Sequence, residues 1–390
     1  MNPPRVVCAP DKLRGALDAF GAADALAAGV RRAGGEALTF PLADGGEGTL
    51  AVVCAAGAAR RIELEARDAL GRRRRAAIGD CGDCVFLVEA AEAVGLALLT
   101  PRERNPRHTS SAGLADLLRG ALAQGARQIL VALGGSATVD GGLGLLAGLG
   151  ARVPGETGAA LLGELELDLA PARALFEGVQ LSVLHDVDVP LCGRDGAAAL
   201  FGPQKGLRAE DVEPFDRALE RLGATFGGDV AQRPGAGAAG GLGAALYALG
   251  ATARSGSEAV IELVGLRRSL TGAALCLTAE GSVDRQSAHG KTVAGVLAAC
   301  REARVPCIVL GGRVSADAIA PLRALGAQDV RAIGPSQRPL AVALAAAGEE
   351  LAAAAEAAAR ELCRVGGAGH SGSGPERPAG HSAGHSGSGP

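Results

Sequence analysis

Short apolar runs that break into glycine-rich or charged loops and reopen as helices stand at both ends of this chain. Arg5 to Ala9 (RVVCA) runs into Pro10-Asp11-Lys12, and a helical pattern follows from Asp18 to Arg32 with Asp18 as its N-cap. Ala37 to Leu42 runs into ADGGEGT (Ala43 to Thr49), which opens a helix reaching Ala56. The rhythm returns late. Ala273 to Thr278, Cys307 to Leu310 and Val330 to Ile333 are expected strands, and Leu340 to Cys363 is a long Ala-rich helix. This alternation specifies an α/β fold with a parallel sheet and puts the loops at the carboxyl ends of the strands.

Between the ends the pattern changes. Arg61 to Ala66, Arg74 to Ile78 and Val85 to Glu89 are strands with no helix between them, which predicts antiparallel pairing. The basic run Arg72 to Arg75 falls on a hairpin and reads as a solvated strand edge. Helices are expected over Thr109 to Ala123, Ala209 to Leu222, Ala244 to Leu249 and Ser257 to Val264, and strands over Gln128 to Leu133 and Val179 to Leu184. Pro154 to Glu177 shows little pattern. The two ends read as one discontinuous domain, residues 1–62 and 285–364, with residues 63–284 inserted. Residues 365–390 repeat GHSGSGP and carry three of the six histidines; such composition buries no core and predicts a disordered, passive tail.

Composition removes several classes of function. The 390 residues have a net charge of −3 with both signs spread along the chain, and aromatics are 2%. Neither a basic surface nor base-stacking platforms are encoded, so no nucleic-acid or membrane partner is expected. The N-terminus shows no apolar run of signal-peptide length and no stretch approaches ~20 uninterrupted apolar residues, so neither a signal peptide nor a membrane span is expected. The nine cysteines are scattered, and Cys8, Cys54, Cys276 and Cys307 lie in apolar runs as small hydrophobes. Cys81-Gly82-Asp83-Cys84 is a lone CxxC that reads as a hairpin turn, without the second ligand pair zinc requires. A reducing, cytoplasmic setting follows as the expectation.

The chemistry-bearing residues sit in the loops. LHDVDVPLCGRDGAAALFGPQKG (Leu184 to Gly206) leaves a strand with Asp186 and Asp188 two apart and reaches Lys205, a set suited to a metal ion and an anion together. GGSATVDGG offers Gly134, Gly135, Ser136 and Thr138 before a helix as an oxyanion cradle, with Asp140 available to a metal through water. RPGAGAAGGLG contains Gly235-x-Gly237-x-x-Gly240, which suits phosphate contact but lacks the strand a dinucleotide fold needs. Gly290-Lys291-Thr292 resembles the end of a P-loop, yet Arg285 stands where its first glycine belongs. Lys291 remains a phosphate contact, with Glu280 and Asp284 to orient a ligand. Asp44 and Glu47 open one helix, and Asp11, Lys12 and Arg14 follow the first strand as receivers of a small carboxylate. Phosphoryl transfer needs this mixture of cations, carboxylates and a base.

Seven of these pieces occur in an order that resembles the bacterial glycerate kinase family: APDKLRG, PLADGGEGT, GGSATVDGG, DVDVPLCG, FGPQKG, PGAGAAGGLG and EGSVDRQSAHGK, spread over residues 5 to 363. Leu13-Arg14 stands where many members have Phe-Lys, and Val139 and Val189 where many have Asn. The resemblance implies two α/β domains with the site in the cleft between them. It also implies transfer of the γ-phosphoryl of ATP to D-glycerate with Mg²⁺, 2-phosphoglycerate being favoured over 3-phosphoglycerate. The roles expected are Asp186 and Asp188 on Mg²⁺ or the attacking hydroxyl, and Lys205 and Lys291 on the moving phosphoryl. Gly134, Gly135, Ser136, Thr138, Gly237 and Gly240 would meet ATP, and Asp11, Lys12, Arg14, Asp44 and Glu47 would meet glycerate. A homodimer is left open. Two rivals remain: an NAD-dependent oxidoreductase of small hydroxy acids, resting on the Gly235 pattern, and a sugar-acid-binding regulator without catalysis.

Overall fold

The computed structural model describes residues 3–288, 292–335 and 337–367. Its strands are β1 (Arg5–Cys8), β2 (Glu36–Thr39), β3 (Arg60–Arg67), β4 (Arg73–Asp80), β5 (Val85–Glu89), β6 (Gln128–Ala132), β7 (Gln180–Leu184), β8 (Thr252–Arg254), β9 (Leu275–Val283), β10 (Cys307–Val314) and β11 (Ala327–Ala332). They form two sheets. One has the order β11-β10-β9-β1-β2 and is parallel throughout, drawing its strands from the two ends of the chain. The other has the order β3-β4-β5-β6-β7-β8 and comes wholly from the middle. There β3, β4 and β5 pair antiparallel and β5 to β8 pair parallel.

The sheet memberships differ from the expected division in one place. β9 falls within residues 63–284 but pairs with β1 on one side and β10 on the other. It is also longer than its apolar run suggested. Glu280 to Val283, read from sequence as loop, continue as strand opposite Gly311 to Val314. The ladder extends because β10 offers its own backbone there, so charge and glycine do not end the strand as local propensity alone would.

Few aromatics mean that layers must approach closely on Ala and Gly. The helix Ala19–Arg32 starts where Asp18 accepts a hydrogen bond from Gly21 N at 2.7 Å, which satisfies an otherwise unpaired first-turn donor. It lies against the helix Leu340–Gly367 so tightly that a Cβ on Gly29 would stand 2.0 Å from Ala352 O. Ala22, Leu26 and Val30 bury there with Leu351, Ala355 and Ala358. The CxxC is the expected hairpin turn between β4 and β5, with Val85 N donating to Gly82 O and both Asp83 and Cys84 in positive φ. Arg72 to Arg75 lie on the β3–β4 hairpin, where Arg72 pairs with Asp68 and Glu103. Residues 154–177, expected to be weakly ordered, hold the short helices Gly158–Leu161 and Ala170–Ala174. No helix among the described residues is long and apolar enough to cross a membrane.

Candidate active site

The carboxyl ends of the two sheets meet through one loop, residues 44–48 between β2 and the helix Thr49–Ala55. Gly45 lies against Leu184 at the end of β7 and against Gly256, and its carbonyl accepts from Gly134 N at 3.3 Å. A Cβ on Gly134 would stand 2.5 Å from Gly46 Cα, so the loop after β6 can approach only as glycine. Glu47 packs over Gly135, the exposed turn of that loop. On the other side, Lys12 Nζ lies 3.6 Å from Asp44 Oδ1 and donates to Glu47 O at 3.3 Å. The structure thus brings Asp11, Lys12, Asp44, Glu47, Gly134, Gly135 and Ser136 to one place.

Electrostatics differ sharply within this group. Asp11 is buried. It accepts from Thr292 Oγ1 at 2.6 Å and from Lys12 N at 2.6 Å. Burial, then the nearby Asp44 charge, push its carboxyl up to about 6. Asp44 Oδ1 is buried without a hydrogen-bond partner. Lys205, only 3% exposed, reaches the back of the β6 loop and donates to Ser136 Oγ at 3.0 Å and Thr138 O at 2.8 Å. Burial drives its ammonium down to about 7, against a smaller upward pull from Asp140.

Other expected site residues are placed differently. Asp186 is occupied in holding the start of the helix Gly256–Leu263: Oδ1 accepts from Ser255 Oγ at 2.8 Å and Gly256 N at 2.9 Å, and Oδ2 from Ser257 N at 2.9 Å. Burial raises its pKa, while these bonds hold it down. Asp188 and Arg14 are exposed. Asp140 is fully buried and accepts from Ser111 N and Oγ, Gly142 N and Gly144 N, which starts the helix Leu143–Gly148. The Thr138 side chain is likewise buried, with Oγ1 unpaired, and only its carbonyl meets Lys205. Gly237 and Gly240 are closely packed: a Cβ would stand 2.1 Å from Pro190 O at the first and 2.0 Å from Thr138 O at the second. A 3₁₀ turn, Val230–Gln232, precedes that glycine loop where a dinucleotide fold requires a strand, which removes the main support for the oxidoreductase reading. Lys291 lies outside the described residues.

Comparison with known proteins decides the family. The model of the glycerate kinase family matches residues 6–363. The chain belongs to that family. A glycerate kinase of Bacillus subtilis (strain 168) is 37% identical over 332 residues, covering 80% of this chain and 86% of the relative. A glycerate 2-kinase of Escherichia coli (strain K12) is 35% identical over 328 residues, covering 80% and 86%. A crystal structure of a candidate glycerate kinase 2 from Salmonella typhimurium LT2 superposes with a TM-score of 0.76 at 35% identity, covering 94% of this chain and 100% of that one.

Membership of the glycerate kinase family makes the protein an ATP-dependent phosphotransferase, and residues that no motif pointed to support its loops. Glu89 ends β5, is buried, and accepts from Gly48 N at 2.9 Å and Leu50 N at 2.8 Å, fixing the helix that follows the 44–48 loop. Burial pushes its carboxyl up to about 7 against those bonds. Its one sequence signal is a carboxylate closing an otherwise apolar strand. His185 Nε2 lies 2.8 Å from Tyr247 Oη, which donates to Pro234 O at 2.8 Å, so the sole tyrosine ties the β7 loop to the glycine loop. Ser255, Ser257 and Thr292 are also partners that spacing alone does not reveal.

Proposed function

We propose that this protein transfers the γ-phosphoryl group of ATP to the 2-hydroxyl of D-glycerate, giving 2-phosphoglycerate and ADP. The observation that carries the reading is the meeting of Lys12 and Asp44 with the glycine turn Gly134-Gly135-Ser136 across the 44–48 loop. The E. coli relative named glycerate 2-kinase supports the choice of hydroxyl. In the reaction the hydroxyl oxygen bonds to the γ-phosphorus, the bond from that phosphorus to the ADP oxygen breaks, and the hydroxyl proton passes to a base.

The glycine turn takes the triphosphate on the backbone N–H groups of Gly135 and Ser136. Lys205 stands behind it as a positioning residue through Ser136. Lys12 and the exposed Arg14 receive the glycerate carboxylate. Asp11, whose carboxylate accepts from Lys12 N, accepts the hydroxyl proton. The donor set fits Mg²⁺, because a hard cation takes one or two carboxylates together with phosphate oxygens, and Asp44 Oδ1 is a buried carboxylate oxygen without a hydrogen bond. Asp44 would hold the ion, which when bound neutralises charge on the triphosphate. Asp186 is reassigned to holding its helix in place. The free thiols among the described cysteines fit a cytoplasmic setting.

A coupled ADP-release assay over a panel of short hydroxy acids, with NMR identification of the phosphorylated carbon, tests the reading. D-glycerate is expected to be the preferred acid and carbon 2 the phosphorylated one. Phosphate on carbon 3 would reassign the attacking hydroxyl, and no ADP release with any acid would refute the kinase reading.

A further inference from the structure

Far from the phosphotransfer loops, three thiols converge inside the parallel sheet. Cys276 is near the start of β9, Cys307 opens β10, and the two are register partners in adjacent strands. Cys300 lies in the helix Thr292–Ala303 that covers them. Their sulfurs all lie within 4.8 Å of one another, and all three residues are buried. We propose that Cys276, Cys300 and Cys307 form a three-sulfur site for one soft monovalent cation of the copper(I) class.

Three features set this apart from ordinary core packing. Sulfurs in a trigonal plane around an ion about 2.3 Å away stand about 4 Å apart, within the observed spacing. Structural zinc takes four ligands, and among the described residues no fourth Cys, His, Asp or Glu joins the group. Thiolate sulfur without oxygen or imidazole selects copper(I) over harder ions. The cluster sits at the amino ends of β9 and β10, whereas the phosphate and carboxylate loops follow the carboxyl ends of strands. The turn between Cys300 and Cys307 is the part of the chain next to the cluster that reaches the surface, with Arg301, Glu302 and Arg304 exposed and Arg304 at a φ of 57°. Each sulfur that binds as thiolate releases one proton to water, so affinity rises with pH.

The test is an anaerobic copper(I) titration of the full chain against a chromogenic copper(I) chelator. It uses a Cys81→Ser/Cys84→Ser background to remove the CxxC thiols. The expected result is one ion per chain, with X-ray absorption showing three sulfurs and no nitrogen or oxygen in the first shell. Cys300→Ala should weaken binding by about 100-fold or more and leave kinase turnover unchanged. No ion withdrawn from the chelator, a shell containing nitrogen or oxygen, or undiminished affinity in Cys300→Ala would each overturn the proposal. If Cys300→Ala does not fold, the absorption spectrum of the parent alone decides it.

Discussion

Lys205 and Glu89 are the two residues in which charge and surroundings conflict most. Lys205 was visible in sequence as a cation near two aspartates, but its burial behind Ser136 depends on how β6 and the helix Ala197–Phe201 pack, which no local pattern encodes. Removing it frees Ser136 and the carbonyl of Thr138, so Lys205→Met should lower kcat/KM for ATP by about 100-fold, as a displaced binding loop does. KM for glycerate should change little, and steady-state kinetics with each substrate varied separate the two. Its ammonium is depressed from 10.5 to about 7. The folded state therefore carries the full cost of the buried charge below about 7, and stability rises as pH moves from there toward 10.5. In Lys205→Met that rise should vanish. Glu89 behaves oppositely. Its carboxyl is raised from 4.5 to about 7, so its contribution is most favourable below 4.5 and declines as pH climbs to about 7. The decline is at most about 3 kcal/mol. Urea unfolding at pH 5 and pH 8 should show this fall in the parent and a flattened one in Glu89→Gln; parallel curves would exclude Glu89 as its source.

At the scale of elements, the helix Gly256–Leu263 depends on a residue from the loop after β7. Asp186 satisfies its first backbone donors. Asn keeps one acceptor there and Ala keeps none, so Asp186→Asn should cost about 1 kcal/mol and Asp186→Ala about 2 kcal/mol. Turnover of Asp186→Asn should stay within about tenfold of the parent, since a positioning change of this size is partial. A far larger loss, with the stability unchanged, would return Asp186 to direct chemistry. The strand–loop–helix order was legible because period and glycine placement are local signals, and β1, β3, β4, β5 and β6 fall close to where the apolar runs put them. The far half of β9 was not, because Glu280 and Gly281 join a ladder only through the partner strand. The site was half legible for the same reason. Motifs marked Lys12, Asp44 and Gly134, which the fold brings together, while the motif positions Asp140 and Gly240 lie among close neighbours that no local pattern shows.

For the whole molecule, the family match ends at residue 363, and the repeated GHSGSGP segment lies beyond it. Truncation after residue 367 should leave kcat, KM and the thermal midpoint of the kinase unchanged, which one assay and one melting curve check. The strands β1, β2, β10 and β11 of the two ends lie in one sheet with β9, and the alternation of runs and loops is common to both ends. It could not signal where the chain crosses back, because β9 reads locally like any other apolar run and only its pairing with β1 assigns it.

That pairing has a consequence for a nascent chain. Thr278 meets Ala9 across 269 positions, so β1 leaves the ribosome with one edge bare. At about 5–20 residues per second, its neighbour arrives on the order of 10–50 s later. Through that interval Val6 to Cys8 offer unpaired backbone beside apolar side chains, a template for pairing with another polysomal copy. The middle sheet needs nothing from either end for its own ladder and can order first. Chaperone occupancy during synthesis should therefore concentrate on the first forty residues and fall once the region around Leu275 has emerged.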